Sequence, residues 1–394
     1  MNQKMDRRSL LKSSLMTLGG IALAPHLSMG AFSNAPVQID AQNRIIYSPF
    51  VREHFLAEPF PPVMKAKLNS NENPYGPPES AKKAVVESVG GGNRYAWKEM
   101  FDLIGKISKK EGVTPDHIMM GPGSSDLLEK VALVLFMKGG NIVSADPTYM
   151  SLIRVAESVG ATWKAVPCKK DWSHDLKAME EAIDKDTKLV YICNPNNPTG
   201  AITSTQELTD FCSRVSEKVP IFIDEAYLEL AAGKGTESMV SLLSKKKNVI
   251  IARTFSKVMG MAGLRIGYIA ALPSFLESIN KITRGGMGIA YTSIAAATAS
   301  IDDLAFQEMT IRLNSEAKDY IYAELGKLGY TYIPSYTNFV LFPIKMNGKD
   351  MLSKMTAKGV GVRSFDIQNQ TYCRVSIGTM DEMKLFIKSL GEIS

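Results

Sequence analysis

The sequence predicts an α/β fold: a large domain built on a mainly parallel, mixed sheet flanked by helices, followed by a smaller α+β domain. Three observations carry this. Short β-branched apolar runs alternate with longer stretches of helical periodicity. The alternation gives way after residue 292 to one long helical pattern and further strands. The 394 residues, 45% hydrophobic and 22% charged, suffice for about two cored domains.

In chain order, the first 35 residues stand apart. Asp6-Arg7-Arg8-Ser9-Leu10-Leu11-Lys12 precedes an apolar run from Leu15 to Ala24 and small residues around Ser28 to Ala31. This is the layout of an export signal with paired arginines of the twin-arginine type, cleaved near Gly30 or Ala31. The run is short of the roughly 20 residues needed to span a bilayer, so no stable membrane anchor is expected.

A Pro-rich N-terminal arm comes next, over 36–72. The large domain is expected over 73–292, with strands at 141–145, 162–166, 188–193, 221–224, 249–253 and 266–270 and helices at 176–183 and 207–215. The smaller domain, 293–394, reads as a long amphipathic helix over 302–328, strands near 330–343, 359–363 and 374–377, and a final helix.

Composition excludes several classes. The 46 basic and 40 acidic residues are well mixed, leaving a net charge of +6 and no nucleic-acid footprint. Cys168, Cys193, Cys212 and Cys373 form no CxxC and accompany no histidine cluster, so neither a metal site nor a redox motif is indicated. They read as small core residues.

The richest stretch is Arg253 to Arg265. It sets one lysine, Lys257, among small and apolar residues with an arginine eight positions on. Desolvation beside a second cation lowers an amine's pKa and frees it to attack a carbonyl, which makes Lys257 a candidate Schiff-base lysine. Arg265 supplies that second charge and a fork that can grip a phosphate. The neighbours of such a lysine on a parallel sheet are expected beyond the carboxyl ends of the strands. Asn194 to Gly200, Asp224 and Lys257 each follow or end a predicted strand.

Together Asn194-Pro195-Asn196-Asn197-Pro198-Thr199-Gly200, Asp224-Glu225-Ala226-Tyr227, Ser256-Lys257 and Arg265 resemble the signature of class I/II aminotransferases of pyridoxal-phosphate fold type I. The histidinol-phosphate aminotransferase branch is similar in Leu68 to Gly76, Asn93-Arg94-Tyr95, Gly121 to Asp126, Thr337-Asn338-Phe339 and Arg374 to Thr379. The resemblance covers residue 65 to the end.

It implies a pyridoxal 5'-phosphate enzyme moving an amino group between an amino acid, or an amino-acid-like amine of histidinol-phosphate-like or aromatic kind, and a 2-oxo acid. Lys257 would hold the cofactor's aldehyde and shuttle the substrate proton, and Asp224 would keep the pyridine nitrogen protonated. Tyr227 and Asn197 would bond the cofactor's phenolic oxygen. Ser124, Ser125 and Asp126 open an apolar helical pattern whose N-terminus offers amides to the phosphate, joined by Thr254, Ser256 and Arg265. Tyr149 resembles the aromatic that stacks on the ring.

Tyr75 resembles the tyrosine that reaches a neighbouring subunit's phosphate, which implies a homodimer with shared active sites. Arg374, Arg363, Asn338, Asn73 and Tyr95 are implied for substrate, the arginines for its acidic group. Export by the twin-arginine machinery carries folded proteins, so the cofactor would be loaded before delivery to the periplasm.

One departure concerns substrate. The family continues Arg-Tyr with Pro and an acidic residue, whereas Ala96-Trp97 stand here. A decarboxylase, lyase or racemase would share the same lysine, aspartate and phosphate cup. A non-catalytic periplasmic binding relative would share the sheet.

Overall fold

The computed structural model describes residues 64–393 and, before them, two short strands that pair antiparallel, β1 (Gln38–Ile39) and β2 (Ile45–Ile46). The export signal and most of the arm lie outside the described residues.

From residue 64 onward the principal element is a seven-stranded sheet made of β4 (Ile118–Gly121), β5 (Gly140–Asp146), β6 (Ala161–Pro167), β7 (Thr187–Cys193), β8 (Ile221–Asp224), β9 (Val249–Thr254) and β10 (Gly267–Ala270), in the order β4-β10-β9-β8-β7-β5-β6. Strands β9, β8, β7, β5 and β6 are parallel, as the alternation predicts, while β10 runs antiparallel to both its neighbours. Because β10 is flanked antiparallel on each side, β4 points the same way as β9. Apart from β10, every strand of the sheet therefore ends on one common edge.

Central strands are buried on both faces, which is why 221–223 and 249–252 read as unbroken Ile, Val, Phe and Ala rather than alternating. Each fully buried large aliphatic contributes about 1.5–3 kcal/mol. Helices cover both faces: α1 (Glu79–Ser88), α2 (Trp97–Glu111), α3 (Ser124–Phe136), α4 (Ser151–Ser158), α5 (Leu176–Glu181), α6 (Thr205–Val215), α7 (Pro273–Asn280) and α8 (Tyr291–Ser300). Helix α6 begins two residues before its predicted start because Ser204 caps it, its side chain and that of Glu207 bonding each other's backbone N–H.

The C-terminal part holds α9 (Leu304–Lys327), β11 (Phe339–Pro343), α10 (Gly348–Ala357), β12 (Val360–Gly361), β13 (Arg363–Ile367), β14 (Gln370–Ser376) and α11 (Met380–Ile393). Strands β11, β14 and β13 make an antiparallel sheet. The predicted strand near 330–343 is strand only from Phe339, and the residues before it form an irregular connection.

Two segments cross the expected boundaries. Strand β3 (Ala66–Lys67), from the arm, pairs parallel with β12, and Ala66 and Leu68 join the small sheet's core. On α8, Ile294, Ala296 and Ala297 pack into the core of the large sheet. All four cysteines are free; three are buried and Cys168 is partly so.

Candidate active site

The common edge gathers the ends of β4, β5, β7, β8 and β9, and the predicted residues take their places from that register. Gly267 pairs with Gly121 on one side and Thr254 on the other, so the turn after β4 and the turn after β9 are neighbours. The first of these turns passes through Gly123 at φ 84° into α3, whose first residue is Ser124. A Cβ on Gly267 would lie 2.6 Å from the Ser124 N, backbone that cannot yield, and Gly123 takes a φ that side chains rarely adopt, so glycine is required at both positions.

The result is a cup. The N-terminal amides of α3, the exposed Arg265 guanidinium and the Thr254 and Ser256 hydroxyls, 2.9 Å apart, surround one spot. Helix N-terminus, hydroxyls and guanidinium all favour an anion there. Arg265 also donates to the Ala262 carbonyl at 3.0 Å. Ser125 lies beside the Tyr149 phenol, which burial pushes above the usual tyrosine range. Asp126 pairs with Lys130 one turn on, at 2.6 Å.

Across the edge from the cup sits Asp224, the last residue of β8, and it is buried. Its Oδ1 accepts from the Ala226 N–H at 3.2 Å and its Oδ2 from the Tyr191 hydroxyl at 3.3 Å. Burial raises its pKa to about 6. A buried carboxylate so poised is suited to a cationic partner.

Lys257 follows β9. Its Nζ donates to the Asn71 carbonyl at 2.9 Å and lies 5.3 Å from the Tyr227 ring centroid. Burial first, and then the Arg374 charge, lower its pKa to about 8, with Asp224 and Glu72 opposing. Arg265, expected as the second cation, contributes in the expected sense but less than Arg374. Tyr227, edge-on to Phe339, accepts from Asn71 Nδ2 at 3.0 Å.

The small sheet delivers the arginines. Arg363 on β13 and Arg374 on β14 are direct cross-strand partners, and both donate to the Asn69 carbonyl at 3.2 Å. Arg374 lies 5.2 Å from the Phe339 and Phe365 rings and donates to Asn197 Oδ1 at 2.6 Å. Burial lowers its pKa to about 10, so it stays charged. Two guanidinium groups held on one carbonyl repel one another, and an incoming anion would relieve that.

Asn338 donates to the carbonyls of Asn71 at 3.0 Å and Glu72 at 3.3 Å, while its buried Oδ1 has no partner. Asn73 is used differently: its amide donates to the Lys257 and Val258 carbonyls at 3.2 and 3.0 Å, so in this structure it holds the lysine's loop. Tyr75 shares with Lys257 and Asn338 the lining of a small cavity. Tyr95 is not brought to the cluster; it is 82% exposed, its ring 6.0 Å from Trp97.

Sequence reasoning passed over Asn71, which lies at the centre. At φ 52° it receives Lys257 and Asn338 on its carbonyl, bonds Tyr227 through Nδ2 and is held by Ser376 at both its N–H and Oδ1. Asparagine is among the few non-glycine residues that tolerate this left-handed backbone, a signal that stands beside its place in the Leu68 to Gly76 stretch.

With this geometry in place, the comparisons decide the family. The model "Aminotransferase class I and II" matches residues 63–390. The chain belongs to that family.

It is 36% identical over 335 residues to a histidinol-phosphate aminotransferase of Moorella thermoacetica, covering 83% of this chain and 85% of the relative. A histidinol-phosphate aminotransferase 2 of Haemophilus influenzae is 37% identical over 332 residues, covering 83% and 89%. Among solved structures, the Sinorhizobium meliloti histidinol-phosphate aminotransferase in complex with pyridoxal-5'-phosphate superposes with a TM-score of 0.78 at 26% identity, covering 88% of this chain and 97% of that one. The architecture is that of fold type I.

Proposed function

We propose that this chain is a pyridoxal-phosphate-dependent aminotransferase, exported and dimeric, that moves an amino group between an amine-bearing acid and a 2-oxo acid. The observation that carries the reading is Lys257: an amine with its pKa brought down to about 8, between an anion cup on one side and the Arg374–Asn197 pair on the other.

The residues fit the cofactor. The glycine-lined cup has no room for a Cβ where Gly267 meets the Ser124 backbone, and offers the donors a phosphate ester requires. Asp224 is a buried carboxylate suited to a protonated ring nitrogen, and Tyr227, whose hydroxyl accepts from Asn71, and Asn197, whose Oδ1 accepts from Arg374, still have an O–H and an N–H to offer a phenolic oxygen. When bound, pyridoxal phosphate supplies an aldehyde for an amine and a ring that withdraws electrons from the substrate Cα.

The rest is done by the chain. Arg374, with Arg363 beside it, binds and orients the substrate's acidic group. Lys257 Nζ, which donates to the Asn71 carbonyl, would be the base that takes the proton from the substrate Cα and the acid that gives it back. Asp224, buried at the end of β8, would keep a ring nitrogen protonated, and Tyr227 is held edge-on against Phe339. The paired arginines point to an amino acid or an amine bearing another acidic group as donor.

Given an amino donor without acceptor, the purified holoenzyme is expected to convert its cofactor stoichiometrically to the pyridoxamine form, seen as loss of the aldehyde-form absorbance. Borohydride reduction beforehand should place the label on Lys257. Absence of conversion with every common amino acid would turn the reading toward a decarboxylase, lyase or racemase. A label elsewhere would remove Lys257 from the centre.

Dimerisation is supported by an apolar surface on and near α2, with Tyr95 82% and Phe101 67% exposed beside Trp97 and Met287, and by the likeness of Tyr75 to a tyrosine that reaches a neighbouring subunit's phosphate. Export is supported by Arg7-Arg8 and the apolar run behind them. Cell fractionation and sizing test both: the mature protein is expected in the periplasmic fraction at twice the chain's mass, and Arg7→Lys with Arg8→Lys should retain it inside. Cytoplasmic protein in both cases, or a monomer, would refute the corresponding part.

A further inference from the structure

Helix α9 reads as amphipathic, yet its buried face carries a polar seam. Gln307, Thr310, Asn314 and Lys318 recur at helical spacing among its buried residues. Each is aimed at another segment: Gln307 donates to the carbonyls of Ser300 and Ile301, and Thr310 receives Asn73, the residue that holds the Lys257 loop. Asn314 donates to the Thr337 carbonyl at 3.3 Å.

Lys318 is the extreme member, with 9% of its surface exposed. Its Nζ donates to the carbonyls of Ser335 at 2.7 Å and Thr337 at 3.2 Å. Burying an ammonium is unfavourable unless its donors are used, and here two carbonyls of one short connection converge on it. Burial lowers its pKa to about 8, which leaves it charged near neutrality.

The connection it holds joins both halves of the site. The Ser335 N–H donates to the Tyr322 hydroxyl at 2.7 Å and the Tyr336 N–H to the Gly200 carbonyl at 2.8 Å. Gly200, at φ 78°, lies so close that a Cβ there would be 2.4 Å from the Ser335 Oγ. Three residues before Gly200 is Asn197, bound to Arg374; directly after Thr337 is Asn338, with its orphaned Oδ1. One ammonium thus anchors the segment on which the turn carrying Asn197 and the residue Asn338 both depend.

We propose that Lys318 is a positioning residue for substrate binding: by clamping the Ser335 and Thr337 carbonyls it sets where Asn338 and the Asn197 turn stand, without touching substrate. The proposal rests on the reading of Asn338 and Arg374 as substrate-facing. Removal of the clamp should weaken the grip on substrate and leave the proton transfer at Lys257 intact.

The test compares the wild-type holoenzyme with Lys318→Met and Lys318→Gln, the second keeping two N–H donors. Lys318→Met is expected to raise KM for the amino donor about tenfold with kcat within about twofold, and Lys318→Gln to recover much of the difference. Independently of turnover, amide exchange in 335–338 should accelerate in the Met variant, while exchange across 249–254 should not. Should Lys318→Met fail to fold, Asn314→Leu, which removes another bond from α9 to the Thr337 carbonyl, is to show the same KM shift and exchange in smaller measure. Unchanged exchange at 335–338 overturns the clamp itself. Accelerated exchange with an unchanged KM overturns the link to substrate, and with it the placement of Asn338 in the substrate site. A fall in kcat as large as the rise in KM, with exchange accelerated across 249–254 as well, would make Lys318 a general stability residue and overturn the proposal.

Discussion

Lys257→Ala is expected to abolish transamination, with turnover down by at least about 10⁴-fold, because in the proposed site a single amine serves as both the tether and the acid–base group. The same variant should retain the anion cup, since Ser124, Thr254, Ser256 and Arg265 make their contacts without the lysine side chain. Cofactor would then bind reversibly and dialyse away, and borohydride would leave no label. The apoprotein should also gain stability at neutral pH. Lys257 has a folded pKa of about 8 against an ordinary 10.5, so below pH 8 the unfolded chain holds this proton more tightly than the native one. This group's destabilisation is accordingly full below pH 8 and fades as pH rises toward 10.5. Removing it lifts the melting temperature of the apoprotein at pH 7 more than at pH 10. A variant that keeps more than a few per cent of turnover, or whose cofactor remains covalently attached, would show that another amine does the work.

Why Lys257 was legible and Lys318 was not is a matter of where their partners lie. Lys257, Asp224 and Asn197 each follow or end a strand whose apolar run is visible in the sequence, and parallel strands deliver such residues to one edge. Chain order and strand direction are then enough to bring them together. The pairing of Arg363 with Arg374 depends instead on the register of β13 against β14, which a sequence of mixed polar residues does not specify. Asn71 owes its role to a left-handed backbone and to partners some 156 to 305 residues away, and no local pattern announces that. The seam on α9 was hidden for another reason. Its polar residues occupy positions that a hydrophobic pattern assigns to solvent, and only the carbonyls they meet explain their burial. Strand β4 escaped because Ile118-Met119-Met120-Gly121 is short and carries no β-branched residue beyond the first. Tyr95 shows the converse: its motif pointed to the substrate pocket, yet within one chain it stands on the surface beside Trp97.

Asp224→Asn should separate activity from stability in opposite directions. The substitution is isosteric: an amide oxygen can still accept from the Ala226 N–H, and the amide nitrogen can donate to the Tyr191 oxygen in place of accepting from it. What is lost is charge at a buried position that, in the proposed site, faces the cofactor's ring nitrogen. Without a carboxylate that nitrogen is no longer held protonated, and the ring draws electrons from Cα far less strongly. Turnover should fall about a hundred- to a thousandfold, in kcat rather than in KM, since Arg374 and Arg363 are untouched. The apoprotein should move the other way. Burial places the native Asp224 at a pKa of about 6 against an ordinary 3.8, so ionising it is harder in the folded chain. A group raised in this way stabilises fully below the unfolded value, and that stability is lost as pH rises through 6. A displacement of about two pH units corresponds to about 3 kcal/mol at neutral pH, an upper figure once relaxation of the empty site is allowed for. The Asn variant carries no such dependence. Its apoprotein is therefore expected to unfold at higher denaturant than wild type at pH 7 and at equal denaturant at pH 4, read by fluorescence or circular dichroism. Bound cofactor should erase the difference in the wild type, because a protonated ring nitrogen beside the carboxylate removes the cost of leaving it charged. An Asn variant as active as wild type, or an apoprotein no more stable at pH 7, would mean that Asp224 is not the buried anion of this site.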